Sequence, residues 1–300
     1  MFRVERRRFL VLGAGLSGAA LARAPRSSAA AAQIALDDPG VALRTYVKLR
    51  GSTAPETVFQ PYEGDIFLVA DGREGIPLCG FKGIQKSTWN GGESAGFSHV
   101  DYDIGFYVDY SSRKILESWH NPLTDKTVEV FHYRSGPSAG RFAVGDSGQD
   151  VYGGVAGRWF VAGGDITHTT AHWGERPNPL LPEEWPLASS GKTVLSSMSL
   201  SYSGRIADVL DPALHSPRTI QVWTHAASWM PWMEMGQRPG FNLWRWIGVK
   251  GVRRSELAAD LVAAAEAVWP GYIAGDGGWQ VPTYGALDYM RAKRGLKRSD

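Results

Sequence analysis

The sequence has a single cysteine, Cys79, among 300 residues, and this scarcity excludes several classes of structure. One thiol cannot form a disulfide within the chain, and it cannot supply a thiolate metal cluster. Long apolar runs are lacking too, because the uncharged stretch from Phe9 to Ala22 is shorter than the roughly 20 residues that span a bilayer. We therefore expect a chain that folds without disulfides and has no stable membrane anchor.

The amino terminus has the features of an export signal. Arg6-Arg7-Arg8-Phe9-Leu10 matches the order R-R-x-F-L that the twin-arginine translocase recognises, and small residues before Gln33 are typical of a cleavage site. We predict that residues 1–32 are a twin-arginine signal peptide and that the translocase is a partner during export. The mature chain, residues 33–300, would then work in the periplasm or outside the cell.

An excess of positive charge is lacking once this segment is removed. Residues 1–32 hold six of the 32 basic residues and one of the 30 acidic residues, which leaves a net charge of −3. Nucleic-acid binding therefore has no electrostatic support. The segment also contains Gly13-Ala14-Gly15-Leu16-Ser17-Gly18, but a dinucleotide site needs that spacing inside a βαβ unit. We interpret the glycines as part of the signal peptide.

Alternation with a period of two dominates the remaining sequence. Met, Leu and Tyr alternate with serines over 197–203, apolar residues alternate with aspartates over 101–110, and Ile, Val and Thr alternate with Gln, Trp and His over 220–225. Such segments are typical of strands whose two faces differ. Further predicted strands are 41–50, 57–70, 76–86, 113–120, 127–134, 157–163 and 241–249, separated by turn signals such as Asn90-Gly91-Gly92 and Ser135-Gly136-Pro137.

These patterns predict one mainly β domain over residues 33–300, an antiparallel barrel or sandwich of barrel-like form with a carboxy-terminal α-helix. That helix would begin after Ser255 as N-cap and end before Pro270, and a second short helix is expected over 284–294. The proline-rich segment 174–190 is expected to be an ordered excursion or lid.

Candidate catalytic residues share one strand face. His99, Asp101 and Asp103 follow one another at every second position, so a carboxylate would lie beside an imidazole and raise its basicity, as general-base catalysis requires. The alternative interpretation is a solvated strand face with charge pairs. His132, among aromatic residues at a strand end, is a second candidate base.

Twelve tryptophans favour a pocket for a planar or apolar ligand as well as an aromatic core. The segment 229–240, rich in Met and Trp between prolines, would either plug one end of a barrel or wall a cavity, and we favour the cavity. Tryptophans would form its walls and an arginine would hold an anion. The predicted binding residues are Trp119, His120, Tyr133, Trp229, Trp232 and Arg238.

A metal site is a weaker alternative. His168 and His172 share a face of either a strand or a helix, and Glu175 is nearby. Thr169 occupies the place where the metalloprotease motif H-E-x-x-H has its glutamate. A metal-dependent hydrolase that uses His168, His172 and Glu175 therefore stays open as an alternative.

Three segments resemble the DUF1838 family: Lys48-Leu49-Arg50-Gly51-Ser52, Trp119-His120-Asn121-Pro122-Leu123-Thr124, and Pro231-Trp232-Met233-Glu234-Met235-Gly236 followed by Arg238-Pro239-Gly240. Its members are bacterial and fungal proteins of about this length, often with export signals. The resemblance implies cofactor-free cleavage of lignin-derived aromatic dimers with loss of formaldehyde. We therefore expect an exported lyase that needs no cofactor and acts on a small aromatic or amphipathic molecule. A non-catalytic binding β-barrel is the alternative, and a homo-oligomer stays open.

Overall fold

The computed structural model describes residues 34–70, 75–92, 96–143 and 157–275. All of them belong to one compact unit, Gln33–Asp300. The predicted signal peptide and the predicted helix at 284–294 lie outside the described residues. Among the residues that are described, no helix is long and apolar enough to cross a membrane.

Strands account for most of the described secondary structure. In chain order the elements are α1 (Pro39–Arg50), β1 (Glu56–Val69), β2 (Ile76–Gly92), β3 (Gly96–Val108), β4 (Ser118–Asn121), β5 (Lys126–Glu129), β6 (Tyr133–Phe142), β7 (Arg158–Ala162), β8 (Asp165–Pro177), β9 (Thr193–Arg205), α2 (Ile206–Leu210), β10 (Thr219–Ala227), β11 (Phe241–Lys250) and α3 (Ala259–Val268).

Nine strands form one antiparallel sheet in the order β6-β3-β2-β1-β11-β10-β9-β8-β7. The pairing of β1 with β11 joins strands from the two ends of the chain. The sheet curls into a half-barrel, while β4 and β5 form a separate hairpin. The predicted barrel-like, mainly antiparallel β fold with a carboxy-terminal helix is therefore confirmed.

The predicted strand at 41–50 is wrong, because these residues belong to α1. The Asp38 carboxylate accepts hydrogen bonds from the backbone N–H groups of Gly40 and Val41, at 2.8 and 3.1 Å. Pro39 follows in the first turn, where a helix needs no backbone donor. The capping residue and the proline start a helix in spite of the β-branched and aromatic residues that favoured a strand.

Other boundaries also differ from those predicted. The predicted strand 113–120 is a strand only from residue 118, the predicted strand 127–134 is divided between β5 and β6, and β8 was not predicted. Ser135-Gly136-Pro137 lies inside β6 rather than in a turn, next to an irregularity in the pairing of β6 with β3. Ser255 lies in a short 3₁₀ turn, and α3 begins four residues later at Ala259. Gly91, by contrast, has a positive φ of 113° close to the end of β2, in keeping with the turn predicted there.

The outer face of β3 is covered by α3 and the segment after it. Tyr102, Ile104 and Phe106 lie in a buried cluster with residues of α3. The Tyr272 hydroxyl shares its one proton between the carbonyl oxygens of Ile84 and Tyr102, at 2.6 and 3.0 Å. Because side chains alternate along a strand, the aspartates between these apolar residues face the inner side of the half-barrel.

The inner side is filled by two clusters of buried residues. One is built around α1, whose Tyr46 and Leu49 pack with Trp89 and Phe97. The other is built around the segment 229–235, and it includes residues of the β4–β5 hairpin and of the proline-rich segment 174–190. Space is left between the two clusters, and the candidate site occupies it.

Candidate functional site

A cavity of about 290 Å³ lies on the inner side of the sheet and is reached by residues from both buried clusters. This volume is close to the lower end of the range for small-molecule sites, roughly 300 to 1,000 Å³. Aromatic side chains make up much of the lining: Tyr62, Phe81, Tyr107, Tyr133, Tyr202, Trp223, Trp244 and Trp246. The polar and charged lining residues are Arg50, Gln85, Asp103, Gln221 and His225.

Strand register places the three tryptophans of the cavity lining towards one end of the cavity. On β10, Gln221, Trp223 and His225 occur at every second residue and all line the cavity. On β11, Trp246 pairs with Trp223, and Trp244 pairs with His225. Moving along β10 from Gln221 to His225 therefore leads from an amide into an aromatic region. We call this region the aromatic end.

The opposite end of the cavity is polar. Gln85 of β2 pairs with Asp103 of β3, and both side chains line the cavity. Arg50 reaches the same region from the last turn of α1, and its guanidinium lies 3.2 Å from the Asp101 carboxylate. We call this region the polar end. A ligand that fills the cavity would thus meet charged and amide groups on one side and ring faces on the other.

Three aromatic rings form a layered floor. The Tyr62 ring stacks on Phe81 at a centroid distance of 5.6 Å and on Trp246 at 4.8 Å. Glycine makes this arrangement feasible, because a Cβ atom at Gly83 would overlap the Tyr62 hydroxyl and one at Gly105 would overlap the Phe81 ring. The small residues let the rings lie across the sheet, with the Tyr62 ring stacked between Phe81 and Trp246, and all three rings contribute to the cavity lining.

Asp103 is the titratable group that stands out in the cavity. Its Oδ1 accepts a hydrogen bond from the Tyr62 hydroxyl at 2.8 Å. Burial raises the pKa of Asp103 to about 7, although the Tyr62 hydrogen bond acts in the opposite direction, and the charge of Asp101 adds to the rise. A carboxyl group with this pKa is present in both protonation states near neutral pH, so it can take and return a proton.

Arg50 supplies positive charge at the polar end. Its guanidinium lies over the Phe142 ring, 5.1 Å from the centroid, and donates to Asp101 Oδ2 at 3.2 Å. Both side chains of this ion pair are largely buried. The carboxylate therefore offsets much of the arginine charge, and the polar end can receive a developing negative charge without carrying a large excess of positive charge.

His99 and Asp101 do not line the cavity, although they share a strand face with Asp103. The His99 ring is buried and packs edge-on against Trp89 and Phe142, with centroid distances of 4.8 and 5.2 Å. Its Nε2 lies 3.8 Å from Asp101 Oδ2. The structure therefore brings His99 next to the Arg50–Asp101 pair, behind the cavity wall.

His132 also lies behind the wall. Its Nδ1 accepts a hydrogen bond from the backbone N–H of Tyr107 at 3.3 Å, and its ring packs against Phe106. Burial lowers the pKa of His132 to about 4, so the ring is neutral over the physiological range. The neighbouring residue, Tyr133, does line the cavity, as predicted for a binding residue.

The predicted tryptophan walls lie in the core instead. Trp119 donates from Nε1 to the Leu78 carbonyl at 3.2 Å and packs edge-on against Trp232 at 5.7 Å. Trp232 in turn contacts Tyr107 at 4.8 Å, so it supports a cavity residue from behind. Trp229 donates to the Arg238 carbonyl at 2.8 Å. The segment 229–235 therefore mainly fills the inner side, and Met230 is its residue that lines the cavity.

Two other predicted binding residues are exposed. His120 lies on the surface with Nε2 3.3 Å from Asp125 Oδ1. Arg238 donates to the Met235 carbonyl at 3.1 Å and is exposed, so it holds its own loop rather than reaching the cavity. Arg50, which was predicted only as part of a segment shared with the family and not as a binding residue, lines the cavity in the role expected of Arg238.

The predicted metal ligands are separated by the fold. His168 is buried, with its ring 4.5 Å from Trp159 and 4.8 Å from Tyr46, whereas Glu175 is exposed on the opposite face of β8. His172 shares the inner face with His168 but lies further along the strand. Across the described ranges, no group of three or more His, Cys, Asp or Glu side chains is placed to hold a metal ion.

The alternation over 220–225 does not predict which residues line the cavity, because the more hydrophobic residues of this strand lie on its outer face. Ile220 and Val222 are exposed on the outer face, 50% and 43% accessible, while Gln221, Trp223 and His225 face inward. The residue types on the inner face, rather than their hydrophobicity, identify it as a cavity wall. A face that carries Gln, Trp and His at every second residue has the mixture expected of a binding wall.

Comparison with known proteins identifies a family. A family described as "Protein of unknown function (DUF1838)" matches residues 55–292. No curated protein matches the sequence. One solved structure, a β-barrel-like protein of the domain of unknown function DUF1849 from Brucella abortus, is 12% identical, with 67% of this chain and 100% of that chain covered and a TM-score of 0.15.

Proposed function

The chain belongs to the DUF1838 family, and we propose that it is an exported enzyme that binds a small aromatic compound in the inner cavity and transfers a proton through Asp103. The observation that carries this proposal is the Asp103 carboxyl group, which is hydrogen-bonded to Tyr62 and titrates near neutral pH inside an aromatic cavity. Perturbed carboxyl groups in clefts are a feature of catalytic sites. Export through the twin-arginine translocase to the periplasm is part of the same proposal.

The aromatic walls support the ligand class. Trp223, Trp244 and Trp246 line the cavity, and Tyr62 and Phe81 continue this aromatic lining beside Trp246. Offset stacking and edge contacts with a planar ligand would each contribute about 0.5 to 1.5 kcal/mol beyond buried area. The cavity volume suits a molecule of one or two rings.

A lyase reaction is the chemistry that we favour for this site. Ionised Asp103 would take the proton from a substrate hydroxymethyl group, and the oxygen would form a C=O bond as the adjacent C–C bond breaks. Formaldehyde leaves, the electron pair of the broken bond passes to the aromatic fragment, and Asp103 returns the proton to that carbon. Arg50 would stabilise the negative charge that develops before the proton returns. The cycle balances without an external redox partner.

The positions of Tyr62 and Arg50 give each a defined task. Tyr62 holds the carboxyl group in one orientation through the 2.8 Å hydrogen bond, and burial keeps its pKa well above 10, so it stays protonated as a donor. Arg50 is held by the Asp101 carboxylate and by the Phe142 ring. Both groups are thus oriented before a ligand arrives, which lowers the cost of reorganisation during the reaction.

A non-catalytic carrier would use the same cavity, and turnover separates the two functions. We suggest incubating the protein with a lignin-type aromatic dimer that carries a hydroxymethyl group, and measuring released formaldehyde and the dimer's Kd. Asp103→Asn should lower turnover at least about a hundredfold while Kd changes less than about threefold. Asp125→Asn, at a fully exposed carboxylate, is the matched control.

Each outcome bears on one of the functions. Wild-type turnover that Asp103→Asn abolishes and Asp125→Asn preserves would support the enzyme. Tight binding without product from the wild-type protein would favour the carrier. Turnover that survives Asp103→Asn would remove Asp103 from the mechanism.

A further inference from the structure

His225 is a polar side chain at the aromatic end of the cavity. On β10 it pairs with Trp244 of β11 and Met198 of β9, and all three side chains line the cavity. Its ring contacts Trp223 at a centroid distance of 4.8 Å. The proposed proton transfer uses groups at the polar end, so this imidazole has no part in it.

The imidazole is held in place through one nitrogen. Nε2 lies 3.0 Å from the Ser196 hydroxyl oxygen on β9. Within the part of the chain that the structure describes, no hydrogen bond is formed by Nδ1 of the same ring. Burial lowers the pKa of His225 to about 4, and His172 adds to the effect, so the ring is neutral at neutral pH. A fixed, neutral imidazole with one nitrogen uncommitted is suited to recognise a ligand.

The register separates His225 from Asp103. Asp103 pairs with Gln85 across β3 and β2. Two residues away on β2, Gly83 pairs with Tyr62, so Tyr62 occupies the neighbouring inward-facing position. On β10, His225 lies two inward-facing positions beyond Gln221, past Trp223. The two titratable groups therefore lie at opposite ends of the aromatic lining.

We propose that His225, oriented by Ser196, is a specificity-determining residue that hydrogen bonds a hydroxyl group on the ligand end remote from Asp103. This inference rests on the proposed function, since it requires an aromatic ligand in the cavity. A hydroxyl group can donate or accept, so it matches either neutral tautomer of His225. A carboxylate could only accept, and it would lose its hydration without a cation at this end. The ligand class is thus an aromatic compound with polar groups at both ends and an uncharged hydroxyl at one of them.

Two matched probes test this assignment. They are 4,4′-dihydroxybiphenyl and 4-hydroxybiphenyl, which differ by one terminal hydroxyl group, and Kd for each is measured by isothermal titration calorimetry at pH 7.5. We expect the wild-type protein to bind the dihydroxy probe about two- to tenfold more tightly, the range for one net hydrogen bond. In His225→Leu this ratio should fall to about one. Ser196→Ala should reduce it, and His225→Asn, whose amide nitrogen lies near the place of Nδ1, should keep part of it. His120→Leu is the control, because His120 is exposed and does not line the cavity.

The ratio between the two probes separates recognition from damage to the fold. A merely structural role for His225 would weaken both probes equally and leave the ratio unchanged, and that result would overturn the inference. An undiminished ratio with no loss of affinity in His225→Leu would overturn it too. Both of these outcomes leave aromatic binding intact, whereas failure of both probes to bind wild-type protein would reject the cavity as an aromatic site and the inference with it.

Discussion

Tyr62 on β1 donates a hydrogen bond to Asp103 on β3, at 2.8 Å, across the intervening strand β2. The contact is feasible because Gly83, which pairs with Tyr62, has no side chain in the path of the phenol ring. The absence of a side chain at Gly83 thus allows contact between two functional groups that lie 41 positions apart in the sequence.

Asp103 should make stability depend on pH in a specific direction. Its pKa is about 7 in the folded protein and about 3.8 without the fold. Between these values the folded form binds more protons than the unfolded form, so the free energy of unfolding falls as pH rises from about 4 to 7. Asp103→Asn should therefore exceed wild type in unfolding free energy by on the order of 4 kcal/mol at pH 8 and match it near pH 4.

Urea unfolding at several pH values measures this difference. Asp125→Asn, at an exposed carboxylate, should show no pH-dependent difference from wild type. A stability difference for Asp103→Asn that stays constant from pH 4 to 8 would contradict the elevated pKa.

Gly83→Ala should displace the Tyr62 ring. The new methyl group would overlap the Tyr62 hydroxyl and the backbone carbonyl of Ile104, and the carbonyl cannot move aside easily. We expect a loss of about 1 to 3 kcal/mol in unfolding free energy, as overpacking usually causes, together with weaker ligand binding. Thermal melts by circular dichroism provide the measurement. Gly92→Ala is the control, since no atom of the described residues beyond its chain neighbours lies within 4 Å of the added methyl group, and equal effects in the two variants would refute the packing argument.

Asn121 should be far more important for stability than its neighbour His120. Its side-chain amide donates to the Met233 carbonyl at 2.7 Å and accepts from the backbone N–H groups of Leu123 and Thr124. Asn121→Ala leaves these buried groups without partners, so we expect a loss of about 2 to 4 kcal/mol. His120→Ala, at an exposed residue, should change stability by less than about 0.5 kcal/mol. If the denaturant unfolding curves of the two variants coincide, the Asn121 hydrogen bonds do not contribute to stability in this way.

Lys250 should stabilise the end of α1 that carries Arg50. Its Nζ donates to the carbonyl oxygens of Lys48 and Gly51 and to the Ser216 hydroxyl, at 2.7, 2.9 and 3.2 Å. Burial lowers the pKa of Lys250 to about 7, but the acceptors suit its ammonium form. Lys250→Met should cost about 2 to 4 kcal/mol, because the buried carbonyl groups lose their donor.

Lys82→Met is the matched comparison for Lys250→Met. Lys82 pairs with Asp260, which is exposed, so its removal should cost less than about 1 kcal/mol. The urea midpoints of the two variants, measured under the same conditions, test this difference in stability loss. A Lys250→Met variant as stable as wild type would mean that water replaces the ammonium group.

Export should depend on the arginine pair at the amino terminus. The double replacement Arg6→Lys and Arg7→Lys should hold the protein in the cytoplasm, since the translocase recognises the pair itself rather than positive charge. Arg23→Lys with Arg26→Lys keeps the same charge and should be exported normally. Cell fractionation and amino-terminal sequencing of the exported form, with a start near Gln33, check the result. Equal periplasmic amounts of both variants would exclude this route.

Some strands were predicted from sequence because their signals are local, whereas β8 was not predicted and the predicted strand 127–134 is divided between β5 and β6. Alternation over 197–203 identified β9 and its inner face, and Asn90-Gly91-Gly92 placed the end of β2. The segment 41–50 failed because its residue types favour a strand, while the helix depends on a single capping carboxylate, Asp38, and the proline that follows. One side-chain hydrogen-bond acceptor outweighed several weak residue preferences.

The candidate site was predicted only in part. His99, Asp101 and Asp103 do share the inner face of β3, but Phe142 and Trp89 cover the first of them and Arg50 pairs with the second. Only Asp103 and Tyr133 among the predicted site residues line the cavity. The covering residues come from other strands and from α1, so no pattern within β3 could distinguish a cavity residue from a buried one.

The sequence by itself determined the antiparallel strands, the chemistry that each strand face can carry, and a fold that holds together without disulfides, because these follow from local periodicity and composition. The tertiary structure decided which inner face stays open as a cavity and which aspartate loses enough water to titrate near pH 7. Desolvation sums over every atom packed around a group, and for Asp103 the nearest hydrogen-bond donor is Tyr62, which the curl of the sheet brings from another strand.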